Sequence, residues 1–541
     1  MNVAGLSNTS VRALRGLVNG GILTALRRLA ASTAFLWSVL ALGVAVRAVR
    51  YLANRSLWGD EGALALNLVH KSSRELLEPL EYMQGAPTGF LLIEKAAVGL
   101  LGDEELVLRL FPFVCGLLSL FLFAAVARRL LAPEATAIAL LLFATVEPLV
   151  YYSSEVKQYS TDVAAALLLL YAVVVVDWDR ISRKVALLLA IGGAAVAWLS
   201  HPALIVLATL AAAVLIASWA ERRRTAIRSV LLIGSVWAGS ALGSYLVNSS
   251  NARSVSSAVL QSSPESGFAP VELLDAVWDG FAQPVGVART TTALALVATV
   301  AGVFALAGRN TRHALFVAAP IAGTLMAALL GLYAFSDRFI LFLVPFVLLF
   351  LAQGLWAIVE VTSVRLPVVA LMIGGLLLAY PLATAAKNVI SPPGHEEVRT
   401  VLGHIDARWR PGDALYVWYQ SQYPFRYYAE CADCDALTAN GVARTVWPPD
   451  PDDARGTSAL VSHPPALIVG ERSHALSSYL RDFDRLPNNR RVWLLFSSTW
   501  DDRFVQQTLD CRGERLDEAH DVRAAAYLYD LRETETEVEN C

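Results

Sequence analysis

The chain of 541 residues is strongly apolar and carries its charges unevenly. Hydrophobic residues make up 56% of it and its mean hydropathy is +0.50, which excludes an ordinary soluble globular enzyme. Residues 388–541 hold 25 acidic and 16 basic side chains, a net charge of −9, whereas the rest of the chain is net positive. The absence of a basic stripe interleaved with aromatic residues argues against nucleic-acid binding. We therefore predict a membrane-embedded body followed by an acidic domain in water.

Eleven stretches are long and apolar enough to cross a bilayer. Each is expected to be a helix, because lipid offers no hydrogen-bond partners and a helix satisfies its own backbone polar groups. They lie at residues 32–51, 105–127, 135–152, 162–177, 185–200, 203–220, 229–247, 290–308, 314–335, 339–359 and 367–387. Alternate short loops carry Lys and Arg, which keeps such loops in the cytoplasm. We predict a cytoplasmic segment at 1–31, a transmembrane domain at 32–387 and an extracytoplasmic domain at 388–541.

The C-terminal segment has the pattern of a small α/β domain. Short β-branched and aromatic runs predict strands, and amphipathic stretches between them predict helices. The predicted strands are 414–418, 466–470, 491–496 and 524–531, and the predicted helices are 396–409, 423–429, 474–483 and 502–509. This alternation favours a largely parallel sheet.

Four cysteines fall in this external segment, where disulfides are permitted: Cys431, Cys434, Cys511 and Cys541. The Cys431 and Cys434 pair has zinc-like spacing, but no second pair completes a metal site. A disulfide is the favoured interpretation. Cys115 lies in an apolar helix and is predicted to be a packing residue.

Two adjacent carboxylates, Asp60 and Glu61, follow the first predicted span within the motif Gly59-Asp60-Glu61-Gly62. At the outer membrane surface such a pair can act as a general base, bind a cation or simply be solvated. The pattern alone leaves these three open.

A second external turn packs ionisable and aromatic residues between two apolar helices. It contains Glu155, Lys157, Tyr159 and Asp162, and Glu147 lies deeper in the preceding span. Ionisable groups at such depth are costly and usually face a cavity or one another. They mark either a substrate site or a structural ion pair that holds the helix ends.

Two more residues are candidates by position. Arg338 follows Asp337 at the outer end of a span, where an arginine is either a snorkelling anchor or a phosphate clamp. His201 stands beside Pro202 at a helix end, where it is a hydrogen-bonded structural residue or a base.

The aromatic run from Tyr416 to Tyr428 also has two interpretations. Its rings could stack on an acceptor sugar, or they could belong to a core strand and helix packed onto the membrane body.

From about residue 45 to 390 the chain resembles the GT-C class of polyprenyl-phosphate-sugar-dependent glycosyltransferases. That class includes the protein O-mannosyltransferases and the aminoarabinose transferases. Four stretches carry the resemblance, in the same order and on the same predicted side: Gly59 to Gly62, Gln84 to Lys95 with Gly102 to Leu110, Tyr151 to Tyr159, and Asp337 to Pro345.

The resemblance implies a polytopic α-helical fold and roles for individual residues. Asp60 would be the general base for an acceptor hydroxyl, and Glu61 would orient Asp60 or the acceptor. Lys157 and Arg338 would clamp the donor phosphate. Asp162 falls near a second carboxylate of the aminoarabinose transferases, and Glu155 belongs to a motif without an assigned role.

The chain departs from the class at one position. A phosphate-binding lysine precedes the proline of the second stretch in the aminoarabinose transferases, and here that residue is Ala86. Glu147 is also not part of the pattern that the resemblance implies.

The expected activity is transfer of a hexose or pentose from a polyprenyl-phosphate donor to a glycan, lipid or protein acceptor at a cell membrane of bacterial type, in contact with membrane lipids. We expect inversion of the anomeric configuration. We expect no metal or other cofactor, since no spaced acidic motif with supporting ligands is present. Glycosyl transfer, a transporter or lipid flippase, and an inactive scaffold of the same fold remain alternatives from the sequence.

Overall fold

The protein is described here by a computed structural model. It describes residues 24–25, 27–262, 278, 289–363, 367–410, 412–430, 467–469, 483, 486, 490–497 and 503–531. The chain divides into two compact units. Unit 1 comprises residues 1–52, 86–90 and 110–392, and unit 2 comprises residues 53–85, 91–109 and 393–541. The domain boundaries at 31 and 387 stay predictions, but the unit that contains the C-terminal segment also contains most of the first predicted outer loop, residues 52–104, which joins the first two predicted spans.

The secondary structure is mainly helical. The helices described here are α1 (Thr33–Leu52), α2 (Gly59–His70), α3 (Thr88–Leu101), α4 (Glu105–Leu108), α5 (Leu110–Leu130), α6 (Pro133–Thr145), α7 (Glu147–Tyr151), α8 (Tyr159–Val175), α9 (Arg183–Leu199), α10 (Ala203–Ala220), α11 (Arg224–Ser262), α12 (Arg289–Arg309), α13 (Thr311–Leu329), α14 (Val344–Ser363), α15 (Pro367–Ile390), α16 (Val398–Arg408), α17 (Gln422–Glu430) and α18 (Arg503–Asp510). The strands are β1 (Ala414–Val417), β2 (Leu467–Val469), β3 (Arg490–Ser497), β4 (Gly513–Asp521) and β5 (Ala524–Leu531).

Within the described residues, eight helices are long and apolar enough to cross a membrane, and the bent pair α6–α7 raises this number to nine. Every one of the eleven predicted spans coincides with helix, but α8 and α9 have only 17 residues each. The predicted class, a polytopic helical membrane protein with a small C-terminal sheet, is confirmed. The number of crossings stays a prediction.

A buried arginine supports the break between α6 and α7, where the axis bends by 57°. Pro148 has no N–H group, so the carbonyl of Ala144 lacks its usual helical donor. The guanidinium of Arg47, on α1, donates to the carbonyl oxygens of Phe143 and Ala144 at 3.1 and 3.3 Å. Lipid offers these carbonyls no partner, so Arg47 allows an irregular backbone at membrane depth.

The tightest helix pair of unit 1 is α12 with α14. A Cβ atom added to Gly302 would lie 1.8 Å from the carbonyl oxygen of Phe350, and one added to Gly354 would lie 1.7 Å from that of Ala298. Membrane helices gain little from hydrophobic burial, so close backbone approach at small residues drives their association.

We expect Gly354→Ala to lower the thermal stability of the purified protein, because the helices must separate to admit the methyl group. The cost should be about 1–3 kcal/mol, as for other overpacked sites. Gly239→Ala, on α11, is the matched control because nothing lies within 4 Å of its added Cβ. Equal melting temperatures for the two variants in detergent would contradict this packing.

Unit 2 contains a five-stranded sheet with the order β2-β1-β3-β5-β4. Strand β1 is parallel to β2 and β3, whereas β5 is antiparallel to β3 and β4. The expectation of a largely parallel sheet is therefore wrong. The missed strand is β4, in which five of the nine residues are charged and none is buried, so its sequence gives no hydrophobic signal. As a charged edge with a bulge between Arg515 and Asp517, it is poorly suited to pairing with another chain.

The other predictions for this segment agree with the structure where it is described. Strands β1, β2, β3 and β5 and helices α16, α17 and α18 lie at the predicted places, and the predicted helix 474–483 lies mostly outside the described residues. Cys511 is disulfide-bonded, whereas Cys431, Cys434 and Cys541 lie outside the described residues. Cys115 is buried and forms no disulfide, as expected of a packing residue.

Candidate active site

The motif Gly59-Asp60-Glu61-Gly62 forms the first turn of α2, in unit 2. The segment 420–424, at the start of α17, runs directly against this turn. A Cβ on Gly62 would lie 2.8 Å from the backbone nitrogen of Pro424, and one on Gly59 would lie 3.2 Å from the carbonyl oxygen of Gln420. The two glycines of the motif therefore serve backbone packing on either side of the two acids.

Two residues just before α16 and one within α17 hold the chain that enters this turn. The Glu396 carboxylate accepts from the backbone N–H of Gly59 at 3.3 Å, which places an anion at a helix N-terminus. The Glu397 carboxylate accepts from the hydroxyl of Ser56 at 3.0 Å. The hydroxyl of Tyr428 accepts from the backbone N–H of Leu57 at 2.7 Å. The C-terminal segment thus fixes the start of α2.

The two adjacent carboxylates have different surroundings. Glu61 is fully buried, and Arg109 donates to its oxygens at 2.6 and 3.0 Å, from Nη2 and Nε. This bidentate pair neutralises Glu61. Asp60 is partly exposed and accepts from the Gln84 amide Nε2 at 3.1 Å. Of the two, Asp60 is the one that a solvent-borne or membrane-borne hydroxyl can approach.

Gln84 follows a strained turn. Tyr82 and Met83 both adopt left-handed backbone conformations, with φ of 59° and 52°. Such conformations cost roughly 1–3 kcal/mol for each non-glycine residue and concentrate at functional sites. The turn aims the Gln84 amide at Asp60 and at the carbonyl of Tyr82, 3.3 Å away.

In unit 1, the polar turn between α7 and α8 gathers several predicted site residues. The Tyr152 ring interacts electrostatically with Glu147, Glu155, Asp337 and Arg338. The Arg338 guanidinium lies 5.8 Å from the centre of the Tyr159 ring. Lys157 is buried in the same turn, and its backbone N–H donates to the Glu155 carbonyl at 2.7 Å. The structure therefore brings together Glu147, Glu155, Lys157, Tyr159 and Arg338.

Sequence reasoning missed Arg50, which belongs to this cluster. It lies near the end of α1, its guanidinium stacks 3.9 Å from the centre of the Tyr151 ring, and its Nη2 lies 3.5 Å from a Glu155 oxygen. Arg50 thus neutralises Glu155. The sequence feature that could have identified Arg50 is its position at the outer end of the first predicted span.

Asp162 and His201 belong to a neighbouring polar cluster of unit 1. Asp162 is buried and hydrogen-bonds the side chain of Ser200. His201 hydrogen-bonds the side chain of Asn248, which accepts from the Thr88 hydroxyl at 2.7 Å. Burial lowers the pKa of His201 to about 4, so the imidazole is neutral at physiological pH.

No group of three metal-ligating side chains occurs among the described residues. Metal independence stays a prediction.

Comparison with known proteins supports the assignment by resemblance. The sequence profile of the dolichyl-phosphate-mannose-protein mannosyltransferase family matches residues 85–241. No curated protein sequence matches the chain.

Solved structures give the fold. The chain is similar to apo ArnT from Cupriavidus metallidurans, with a TM-score of 0.50 and 14% identity over 92% of this chain and 98% of that one. This is the fold of a GT-C glycosyltransferase. The chain is also similar to ArnT from the same organism bound to undecaprenyl phosphate, with a TM-score of 0.48 and 15% identity over 92% of this chain and 98% of that one. A third similar structure is AglB from Archaeoglobus fulgidus in complex with an inhibitory peptide and a dolichol-phosphate, with a TM-score of 0.49 and 11% identity over 93% of this chain and 75% of that one.

The second stretch of the GT-C resemblance, Gln84 to Lys95, contains buried residues that the resemblance does not explain. Ala86, where the aminoarabinose transferases carry a lysine, is fully buried. On α3, the Lys95 ammonium donates to the carbonyl oxygens of Leu68 and Val69 at 2.8 and 3.1 Å, and so caps the C-terminus of α2.

Glu94, next to Lys95, is completely buried. Within the part of the chain that the structure describes, neither of its carboxylate oxygens has a hydrogen-bond partner. Burial raises the pKa of this carboxyl well above its usual range, because a carboxylate without a partner is poorly stabilised away from water. The surroundings of Glu94 therefore favour its neutral form.

We expect the stability of the wild type to fall relative to Glu94→Gln as the pH rises. A folded-state pKa above the unfolded value favours folding at low pH, and that advantage is lost as the pH increases. The free-energy gap should widen by about 1.4 kcal/mol per pH unit above an unfolded pKa of about 4.3, until the folded pKa is reached.

Melting temperatures of both proteins in detergent at several pH values between 5 and 8 measure this gap. Replacement of the exposed Glu78 by Gln is the control and should give no such trend. A gap between wild type and Glu94→Gln that stays constant with pH would contradict a neutral, unpartnered Glu94.

Proposed function

We propose that this protein is a membrane glycosyltransferase that moves a sugar from a polyprenyl-phosphate donor to an acceptor hydroxyl on the extracytoplasmic side. Asp60 is the general base, and Lys157 and Arg338 bind the donor phosphate. The observation that carries the proposal is the contrast between Asp60, partly exposed and oriented by Gln84, and its neighbour Glu61, buried and neutralised by Arg109.

The donor class follows from the matching family, which is named for a dolichyl-phosphate mannose donor. A sugar joined to a polyprenyl phosphate has a good leaving group once cations stabilise the departing phosphate. In unit 1, Arg338 and Lys157 supply two such cations.

The chemical step needs one base and no covalent intermediate. The Asp60 carboxylate takes the proton of the acceptor hydroxyl as the acceptor oxygen forms a bond to the anomeric carbon. The bond from that carbon to the phosphate oxygen breaks, and the electron pair leaves with the polyprenyl phosphate. A single displacement inverts the anomeric configuration.

In this account Glu61 is a positioning residue. Its pair with Arg109 anchors the turn, because Arg109 also donates from Nη2 to the carbonyl of Ser56 at 3.3 Å. Tyr159, Glu155 and Glu147 surround the phosphate-binding cations, whereas Asp162 and His201 form a supporting polar cluster. We propose metal-independent transfer, since the two cations fulfil the role that a metal would have.

We expect Asp60→Asn to lower sugar transfer by about 10²-fold or more, the usual contribution of general-base catalysis. The assay incubates purified protein with radiolabelled polyprenyl-phosphate sugars and separates the labelled product. Glu78→Gln, an exposed carboxylate of the same unit, is the matched control and should retain wild-type activity.

Full activity of Asp60→Asn would contradict the role of Asp60. Donor binding without turnover by the wild type would favour the inactive scaffold, and translocation of the lipid in vesicles would favour the flippase.

A further inference from the structure

Aromatic side chains adjoin the turn that presents Asp60. Within the aromatic run of unit 2, Tyr416, Trp418, Phe425, Tyr427 and Tyr428 are buried. Tyr419 and Tyr423 are partly exposed. The inward rings form core or hold the chain beside α2, so packing explains them. The outward rings call for a different explanation.

The outward tyrosines form a row with Tyr82, which is also partly exposed. The rings of Tyr82 and Tyr423 have their centres 5.2 Å apart, and those of Tyr423 and Tyr419 are 6.2 Å apart. The hydroxyls of Tyr419 and Tyr423 lie 3.1 Å from each other, and Arg426 donates to the hydroxyl of Tyr82. These contacts fix the rings in place, so binding a ligand on them costs little conformational entropy.

This row, defined as Tyr82, Tyr419 and Tyr423, lies beside the proposed base. The Gln84 Nε2 atom contacts both the Asp60 carboxylate at 3.1 Å and the carbonyl of Tyr82 at 3.3 Å. The carbonyl carbon of Tyr423 would lie 3.0 Å from a Cβ on Gly62. Tyr82, through Gln84, and Tyr423, through its backbone, thus both adjoin the first turn of α2.

A second aromatic surface adjoins the same turn. The indole of Trp58, the residue that precedes α2, stacks on the imidazole of His395 with ring centres 4.2 Å apart. Both rings are partly exposed. Their stacking gives a second rigid aromatic surface two residues from Asp60.

Rigid, partly exposed aromatic rings with polar rims suit carbohydrates, whose C–H faces stack on rings while their hydroxyls bond to the rims. The charges at this turn are largely compensated, since Glu61 pairs with Arg109 and Glu397 pairs with Arg55. Such compensation favours a neutral acceptor over a charged one.

We infer that the acceptor of this enzyme is a neutral saccharide, bound on the tyrosine row and on the Trp58–His395 stack with one hydroxyl directed at Asp60. The inference rests on the proposed function, because it names the acceptor class of the same site. A peptide or a lipid acceptor is the competing outcome.

Binding is tested separately from catalysis. The full chain carrying Asp60→Asn is titrated in detergent by calorimetry with neutral tetrasaccharides of mannose, glucose and galactose, and with a Ser/Thr-containing peptide. We expect saturable binding of a saccharide. Further replacement of Tyr423 or Tyr419 by Ala should weaken it about tenfold, the equivalent of about 1.4 kcal/mol.

Conservative and matched variants show whether the rings themselves matter. Tyr423→Phe keeps the aromatic face and should bind within about threefold of the parent protein. Leu516→Ala, on the edge strand β4 of the same unit, removes an exposed apolar side chain and should bind like the parent protein. Melting temperatures identify any variant that has unfolded. If an alanine variant has unfolded, the phenylalanine variant at the same position is compared with the parent protein instead.

Transfer to the same saccharides is then measured with Asp60 restored. We expect Tyr423→Ala to raise the KM for the saccharide about tenfold and to leave the KM for the donor unchanged. Saccharide binding without donor turnover by the wild type would overturn the proposed function and leave only a saccharide-binding site on these rings. Transfer to the peptide or to a lipid, with no saccharide binding, would overturn the inference and leave the glycosyltransferase standing.

Discussion

The close approach of the segment 420–424 to the first turn of α2 is the constraint on which the account of unit 2 depends. At Gly62 this approach leaves no room for a side chain, and at Gly59 it leaves little. The approach fixes the direction of α2 and thereby the direction of Asp60. It also brings the exposed tyrosines of the C-terminal segment beside the same carboxylate. In sequence, the motif Gly59 to Gly62 is a pair of adjacent acids. In the structure it is a closely packed helical turn in which only one of the two acids, Asp60, is accessible.

Ion pairing decides which charged groups are used for structure. Glu61 with Arg109, Glu105 with Arg399 and Arg50 with Glu155 are pairs with at least one buried partner. Breaking one member of such a pair leaves an uncompensated charge, so these residues are constrained by stability. Asp60 instead is partly exposed and accepts from the Gln84 amide, which orients it. This difference separates two residues that are adjacent in the chain.

The helical body could be predicted from hydropathy alone, because lipid forces every crossing segment into apolar helix. Strand β4 could not, since its charged sequence makes an edge whose position is set by pairing with β5. The candidate residues came from the pattern of ionisable groups near the span ends, a resemblance supplied roles for several of them, and the structure groups some of them. The partners of these residues escaped prediction, because Arg109 lies 48 positions from Glu61 and Arg50 lies 105 positions from Glu155. Pairings at that separation are set by the fold.

The C-terminal segment also had two open interpretations, which the structure divides by residue. Its inward aromatic rings are core, and its backbone and carboxylates hold the first outer loop. Within the aromatic run from Tyr416 to Tyr428, the partly exposed Tyr419 and Tyr423 remain for recognition. An appended domain in sequence is, by contact, part of the same compact unit as the proposed base.

The pH dependence of sugar transfer tests the central claim most directly. A general base must be deprotonated to act, so kcat/KM for the acceptor should rise with pH through one ionisation in the wild type. The residual activity of Asp60→Asn, measured with radiolabelled donor, should lack that ionisation. The same rise with pH in both proteins would contradict Asp60 as the base.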